Sequence, residues 1–115
     1  MSRAPQVDRV VPAAVLPAEA RWALDLLARP WTPHLLLLLA HQPQRYRDLR
    51  AALPTMSTAV LTDRLRTLTT TGLVRRRLVN GNSGVHYEAT GRGLMLAKPL
   101  ADLVATARGA ARIGD

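Results

Sequence analysis

RYRDLRAALPTMSTAVLTDRLRTLTTTGLV, residues 45–74, carries two short helical patterns separated by a break. Tyr46, Leu49 and Leu53 recur at three- and four-residue spacing, so a short helix turns them inward and sets Arg45, Arg47, Asp48 and Arg50 outward. Leu53-Pro54-Thr55-Met56 interrupts it, because a proline excludes the helical conformation from the residue before it. Ser57 then offers a side-chain oxygen to the next helix start. Leu61, Leu65 and Leu68 fall within about 60° of arc at 100° per residue, and Gly72 supplies the stop. Two helices therefore flank a four-residue turn.

Beyond Gly72 the period changes. Leu73 to Val79 and Val85 to Thr90 are rich in β-branched residues and alternate, and Asn80-Gly81-Asn82-Ser83-Gly84 between them is a hairpin signal. A last helix starts at Thr90 or Gly91. From Leu94 to Ala107 ten of fourteen residues are aliphatic, more than one buried stripe requires, so a second copy of the chain is expected to cover the excess, with Trp22 contributing. Pro99 should kink this helix.

Upstream, Pro17 suits a first helical position, Glu19 complements the helix dipole, and Trp22/Leu26 with Ala23/Leu27 stack until Pro30. Thr32-Pro33 is a second cap-plus-proline start; Leu35 to Ala40 is apolar on every side and Pro43 ends it. Residues 1–16, with Pro5 and Pro12, read as a flexible arm before a domain at 17–112. The order helix, helix, helix, turn, helix, hairpin, helix is a winged helix-turn-helix: mainly α with a small β-hairpin wing, dimerising through its N- and C-terminal helices.

Composition narrows the function. A chain of 115 residues accommodates one small core and no multidomain enzyme. With no cysteine it has no disulfide framework and no thiolate metal site, which suits the cytoplasm. The six-residue aliphatic run Leu35 to Ala40 is far below the ~20 residues that span a bilayer. Val10 to Leu16 is a poor leader core, interrupted by Pro12 and preceded by Asp8, so no secretion signal and no membrane are expected. The net charge of +8 is uneven: residues 41–79 hold eight Arg and two acids, against +1 on either side. Fifteen of the sixteen basic residues are Arg, whose planar fork grips phosphate oxygens in pairs. A solvated basic face is the alternative.

Ala23-Leu24-Asp25-Leu26-Leu27, Trp31-Thr32, Arg45-Tyr46-Arg47-Asp48-Leu49-Arg50, Leu53-Pro54, Ser57, Val60-Leu61, Arg64-Leu65-Arg66-Thr67-Leu68 and Gly72-Leu73-Val74 agree in register with one bacterial pattern. Tyr87, Thr90 and Gly93 continue it. With these residues the chain resembles the HxlR-type winged helix-turn-helix transcriptional regulators from about residue 17 to residue 106. The resemblance implies a homodimeric, sequence-specific regulator of double-stranded DNA with the fourth helix in the major groove. Ala59 stands where relatives often carry Lys, and Asp63 where an amide is common, so the reading surface has lost positive charge. The cysteine frequent near the first helix is absent, so thiol sensing does not transfer.

With the leucines inward, Ala59, Asp63, Arg66 and Thr70 occupy the opposite face of the fourth helix, Thr62 and Thr67 beside them. Thr58, Thr62 and Asp63 would meet base edges and Arg66 a base or a phosphate, while Ser57 would cap. The alternatives are a solvated surface for the threonines and an i, i+3 pair with Arg66 for Asp63. Arg64 lies beside the leucine stripe, where it either braces the third helix through Asp48 or touches a phosphate. Arg45, Arg47 and Arg50 are phosphate candidates or a solubilising face. Strand alternation sends Arg76 to the side opposite Arg75 and Arg77. At the wing tip, Asn80, Asn82 and Ser83 are the groups available to the minor groove.

No enzyme is expected. His34, His41 and His86 lack carboxylates at ligand spacing, so neither a metal nor a cofactor is called for, and residues 80–84 are no phosphate loop. A second reading keeps the winged-helix dimer as a small-molecule or peptide-binding module with little DNA affinity. Trp22, Trp31 and Met95 would then line an apolar groove, residues that otherwise serve as dimer core, and an effector bound there would also modulate a DNA-binding dimer.

Overall fold

The computed structural model describes residues 14–79 and 84–113, and its chain divides into two compact units, Met1–Pro30 and Trp31–Asp115. In the first, helix α1 (Ala18–Leu27) buries Leu26 and exposes Trp22 and Leu24. Pro17 is the residue before the helix, with φ −71° and ψ 146°, where the sequence reading made it the first helical position. Its fixed φ suits either place, and only ψ separates them. The helix stops two residues short of Arg29, whose conformation Pro30 restricts.

The second unit runs α2 (Thr32–His41), β1 (Gln44–Arg45), α3 (Tyr46–Ala52), α4 (Thr58–Thr70), β2 (Val74–Val79), β3 (Gly84–Ala89) and α5 (Gly91–Ile113). Thr32 is not the cap expected of it. Trp31 takes that position with a left-handed φ of 74°, so Thr32 already belongs to the helix, buried, its hydroxyl without a partner among the described residues. Leu35, Leu36 and Leu39 join Leu49, Met56, Leu61, Leu65, Leu68, Leu73, Val74 and Ala97 in the core, where α2 packs along α5 and against β3.

The strands form one antiparallel sheet in the order β1-β3-β2, with Arg76 opposite Tyr87 and Arg75 opposite Glu88. Strand β1 is absent from the sequence reading, since two residues are too few to show alternation. Gln44 fixes it from behind, its side-chain amide donating to the Leu38 carbonyl at 3.1 Å. The hairpin is otherwise as expected, although its tip, with Asn80, Asn82 and Ser83, lies outside the described residues.

Helix α4 has both expected ends. Ser57 Oγ accepts from the Val60 N–H at 3.1 Å. At the other end Gly72 adopts φ +80°, and the N–H groups of Gly72 and Leu73 reach back to the Thr69 and Leu68 carbonyls, a Schellman closure. Thr67, Thr69, Thr70 and Thr71 turn their hydroxyls onto carbonyls of the preceding turn. These local bonds pair the threonine hydroxyls with the helix's own carbonyls.

Helix α5 runs through Pro99 as one element. Thr90 anchors its start: the hydroxyl accepts from the Gly93 N–H at 3.1 Å and donates to the Gly72 carbonyl at 2.6 Å. A β-carbon on Gly93 would lie 2.1 Å from the Leu73 carbonyl oxygen, whereas one on Gly91 meets nothing within 4 Å. Gly93→Ala is therefore expected to lower stability by about 1–3 kcal/mol or more and Gly91→Ala to stay within roughly 0.5 kcal/mol, checked by urea melts of both.

Candidate nucleic-acid interface

Burial of Leu61, Leu65 and Leu68 leaves Thr58, Ala59, Thr62, Arg66 and Thr70 exposed on the outer side of α4. Tyr46 ties α3 to the first turns of this helix: its hydroxyl donates to the Thr58 carbonyl at 3.3 Å and lies 3.3 Å from Thr62 Oγ1. Ser57 is spent on its cap.

The acids decide which arginines remain available. Arg64 Nη1 sits 2.6 Å from Asp63 Oδ2, with Arg64 only 16% exposed against 50% for Asp63. The sequence reading left Asp63 between a base edge and a pair with Arg66, and Arg64 between Asp48 and a phosphate. A nearly buried guanidinium beside the leucine stripe takes the carboxylate next to it, and Asp48 Oδ2 instead accepts the Arg45 backbone N–H at 2.9 Å, capping α3. Arg75 Nε and Arg77 Nη1 share Glu88, at 2.6 and 3.2 Å, on one side of the sheet.

Two of the three phosphate candidates on or before α3 are occupied inside the domain. Arg50 Nη1 donates to the Met56 carbonyl, closing the turn between α3 and α4, and Arg45 Nε donates to His86 Nε2 at 3.2 Å, joining β1 to β3. Both have the same cause, a half-buried arginine stem beside an open acceptor. Arg47 is exposed. Arg47, Arg66 and Arg76 make no ion pair with a described residue.

A cleft of about 320 Å³ lies between α4 and the sheet, walled by Tyr46, Thr62, Leu65, Arg66, Thr69, Arg76 and Tyr87. Thr62 and Arg66 belong both to this wall and to the outer face of α4, so the cleft opens beside the surface the sequence assigned to bases. Arg76 and Tyr87 were not singled out as site residues. Their signal was the alternation that separates Arg76 from Arg75 and Arg77, but only the observed register sets Tyr87 beside it. Of the groove candidates, Trp22 lies on α1, Trp31 has its ring centroid 5.1 Å from that of His34 with the planes tilted by 54°, and Met95 is 77% exposed on α5.

Comparison with known proteins agrees with this architecture. The HxlR-like helix-turn-helix family matches residues 26–111. The uncharacterized HTH-type transcriptional regulator YvaP of Bacillus subtilis is 32% identical over 82 residues, 70% of this chain and 76% of YvaP. Among solved structures, a possible HxlR family transcriptional factor from Thermoplasma volcanium superposes with TM-score 0.68 at 26% identity, over 77% of this chain and 81% of that one. The reduced form of the transcriptional regulator YodB from B. subtilis has the same fold, TM-score 0.73 at 24% identity, over 85% and 97% of the two chains.

Glu88 gives the hairpin a pH dependence. The Arg75 hydrogen bond holds its carboxyl below the ordinary carboxylate range against the opposing effect of burial, and the Arg77 charge adds to the lowering. A depressed folded-state pKa contributes stability that is present above the unfolded value and disappears as pH falls through the folded one. The stability gap between wild type and Glu88→Gln should be full at neutral pH and should narrow below the ordinary carboxylate range, read from thermal melts over a pH series. A gap constant with pH would contradict this role.

Proposed function

The chain belongs to the HxlR-like helix-turn-helix family of DNA-binding transcriptional regulators, and from that premise we propose that it works as a homodimer reading a pseudo-palindromic operator with one α4 from each protomer. The observation that carries this reading is the division of charge around α4. Arg64, Arg75 and Arg77 are neutralised by acids, while Arg66 stands exposed among Thr58 and Thr62. Threonine hydroxyls read several base edges, and arginine pairs with guanine, so this face has the chemistry of direct readout. Arg47 is exposed on the preceding helix, which supports it as the contact to the phosphate backbone in this reading.

The dimer is supported by α5, where Leu94, Met95, Leu103 and Val104 are exposed, Leu103 by 62%. One helix with that much open aliphatic surface is suited to a second copy across a two-fold axis. The two reading helices would then address half-sites about 10 base pairs apart. Among the described residues no helix is long and apolar enough to cross a membrane, and the proposed role places the protein in the cytoplasm as a non-enzymatic regulator. YodB has a defined reduced form, but the 115 residues here include no cysteine, so any effector response of this chain uses chemistry other than a thiol.

Arg66→Ala is expected to weaken a selected operator by about 1–3 kcal/mol and random DNA by less, whereas Arg47→Ala should weaken both alike and lower the salt slope by about one. Fluorescence anisotropy with both duplexes at several salt concentrations measures this. Equal losses for Arg66→Ala on both duplexes would remove it from base reading.

A further inference from the structure

The cleft between α4 and the sheet holds donors that the domain itself leaves unused. On its walls the Tyr46 hydroxyl is engaged with Thr58 and Thr62, and the Thr69 hydroxyl is turned onto the Leu65 and Arg66 carbonyls. Arg66, Arg76 and the Tyr87 hydroxyl have no side-chain hydrogen bond or ion pair with a described residue. Arg66 is assigned to the bases, so Arg76 and the Tyr87 hydroxyl are the two unused donors in this concavity, and no carboxylate is on its wall. Resting on the DNA-binding reading above, we infer that this cleft is an oxyanion site filled in the complex by one phosphate of the DNA backbone.

The sheet register is what builds it. Arg76 and Tyr87 are cross-strand partners and so share one face of the sheet, while Arg75 and Arg77 share the other with Glu88. A carboxylate on the Arg75 side neutralises that face, and the Arg76 side keeps its charge. Leu65 and the tyrosine rings make part of the wall apolar, which strengthens an ionic hydrogen bond relative to open water. A guanidinium fork meets two phosphate oxygens, and a phenol donates a third bond without adding charge. Because Thr62 and Arg66 are also on the exposed face of α4, a phosphate seated here would set the depth at which that helix meets the bases.

The test uses the full chain. Arg76→Ala should weaken operator and random duplex equally, by roughly three- to tenfold, and lower the salt slope by about one. Tyr87→Phe should give a smaller equal loss with an unchanged slope, and Arg76→Lys should restore the slope. Arg76 is exposed, so an unchanged thermal melt accompanies these losses. In a parallel arm, sodium phosphate is titrated into the free protein at matched ionic strength and followed by amide NMR. If Arg76→Ala leaves DNA affinity and slope unchanged while Arg47→Ala lowers both, the inference fails and the DNA-binding reading stands. If phosphate saturates the cleft amides but Arg76→Ala leaves DNA binding untouched, the site serves a free anion and the DNA assignment is overturned. If the wild type binds no duplex at all, both readings fail.

Discussion

Burial of Leu61, Leu65 and Leu68 fixes the rotation of α4 about its own axis, and every assignment at the interface inherits that rotation. A turn of 100° would exchange the leucines for threonines and charges, a loss of about 1.5–3 kcal/mol for each leucine brought back to water. The two ends add to the constraint. The Ser57 cap sets where the helix begins, and the left-handed Gly72 sets where the chain leaves it to form β2. Gly93 then allows α5 to approach the Leu73 carbonyl so closely that no side chain fits between them.

Given that frame, charge does the sorting. Residues 41–79 carry eight Arg and two acids, and β3 adds Glu88 beside them. Asp48 caps α3, Asp63 holds the nearly buried Arg64, and Glu88 draws Arg75 and Arg77 to one side of the sheet. Arg50 and Arg45 close a turn and a strand junction. Among the described arginines of residues 41–79, those left for an external anion are Arg47 on α3, Arg66 on α4 and Arg76 on β2. Arg66 and Arg76 face one cleft from its two sides, so helix and wing present a joint surface rather than two independent ones.

Much of this was legible in the sequence because it depends on local rules. Leucine spacing, the serine cap, the glycine stop and strand alternation located α4, its exposed face and the hairpin within a residue or so. The failures share a cause, which is competition between partners that are distant or equivalent along the chain. Asp63 had two arginines within reach, and burial of Arg64 decided between them. The capping of α3 by Asp48 and the bond from Arg50 to Met56 need the folded turn before they can be seen. Thr32 looked like a cap until a left-handed Trp31 took the position. The cleft needed the cross-strand register, which sets Tyr87 beside Arg76 and which a hairpin loop alone does not specify.

The central claim is that this arginine-edged helix face reads sequence, and the most direct measurement is selection of random duplex DNA on the purified protein, with recovered sites re-measured against scrambled controls at two salt concentrations. The account predicts enrichment of a pseudo-palindromic site bound at least about a thousandfold more tightly than scrambled DNA. Weak, steeply salt-dependent binding with no sequence preference would contradict it, leaving the exposed arginines as a general basic surface.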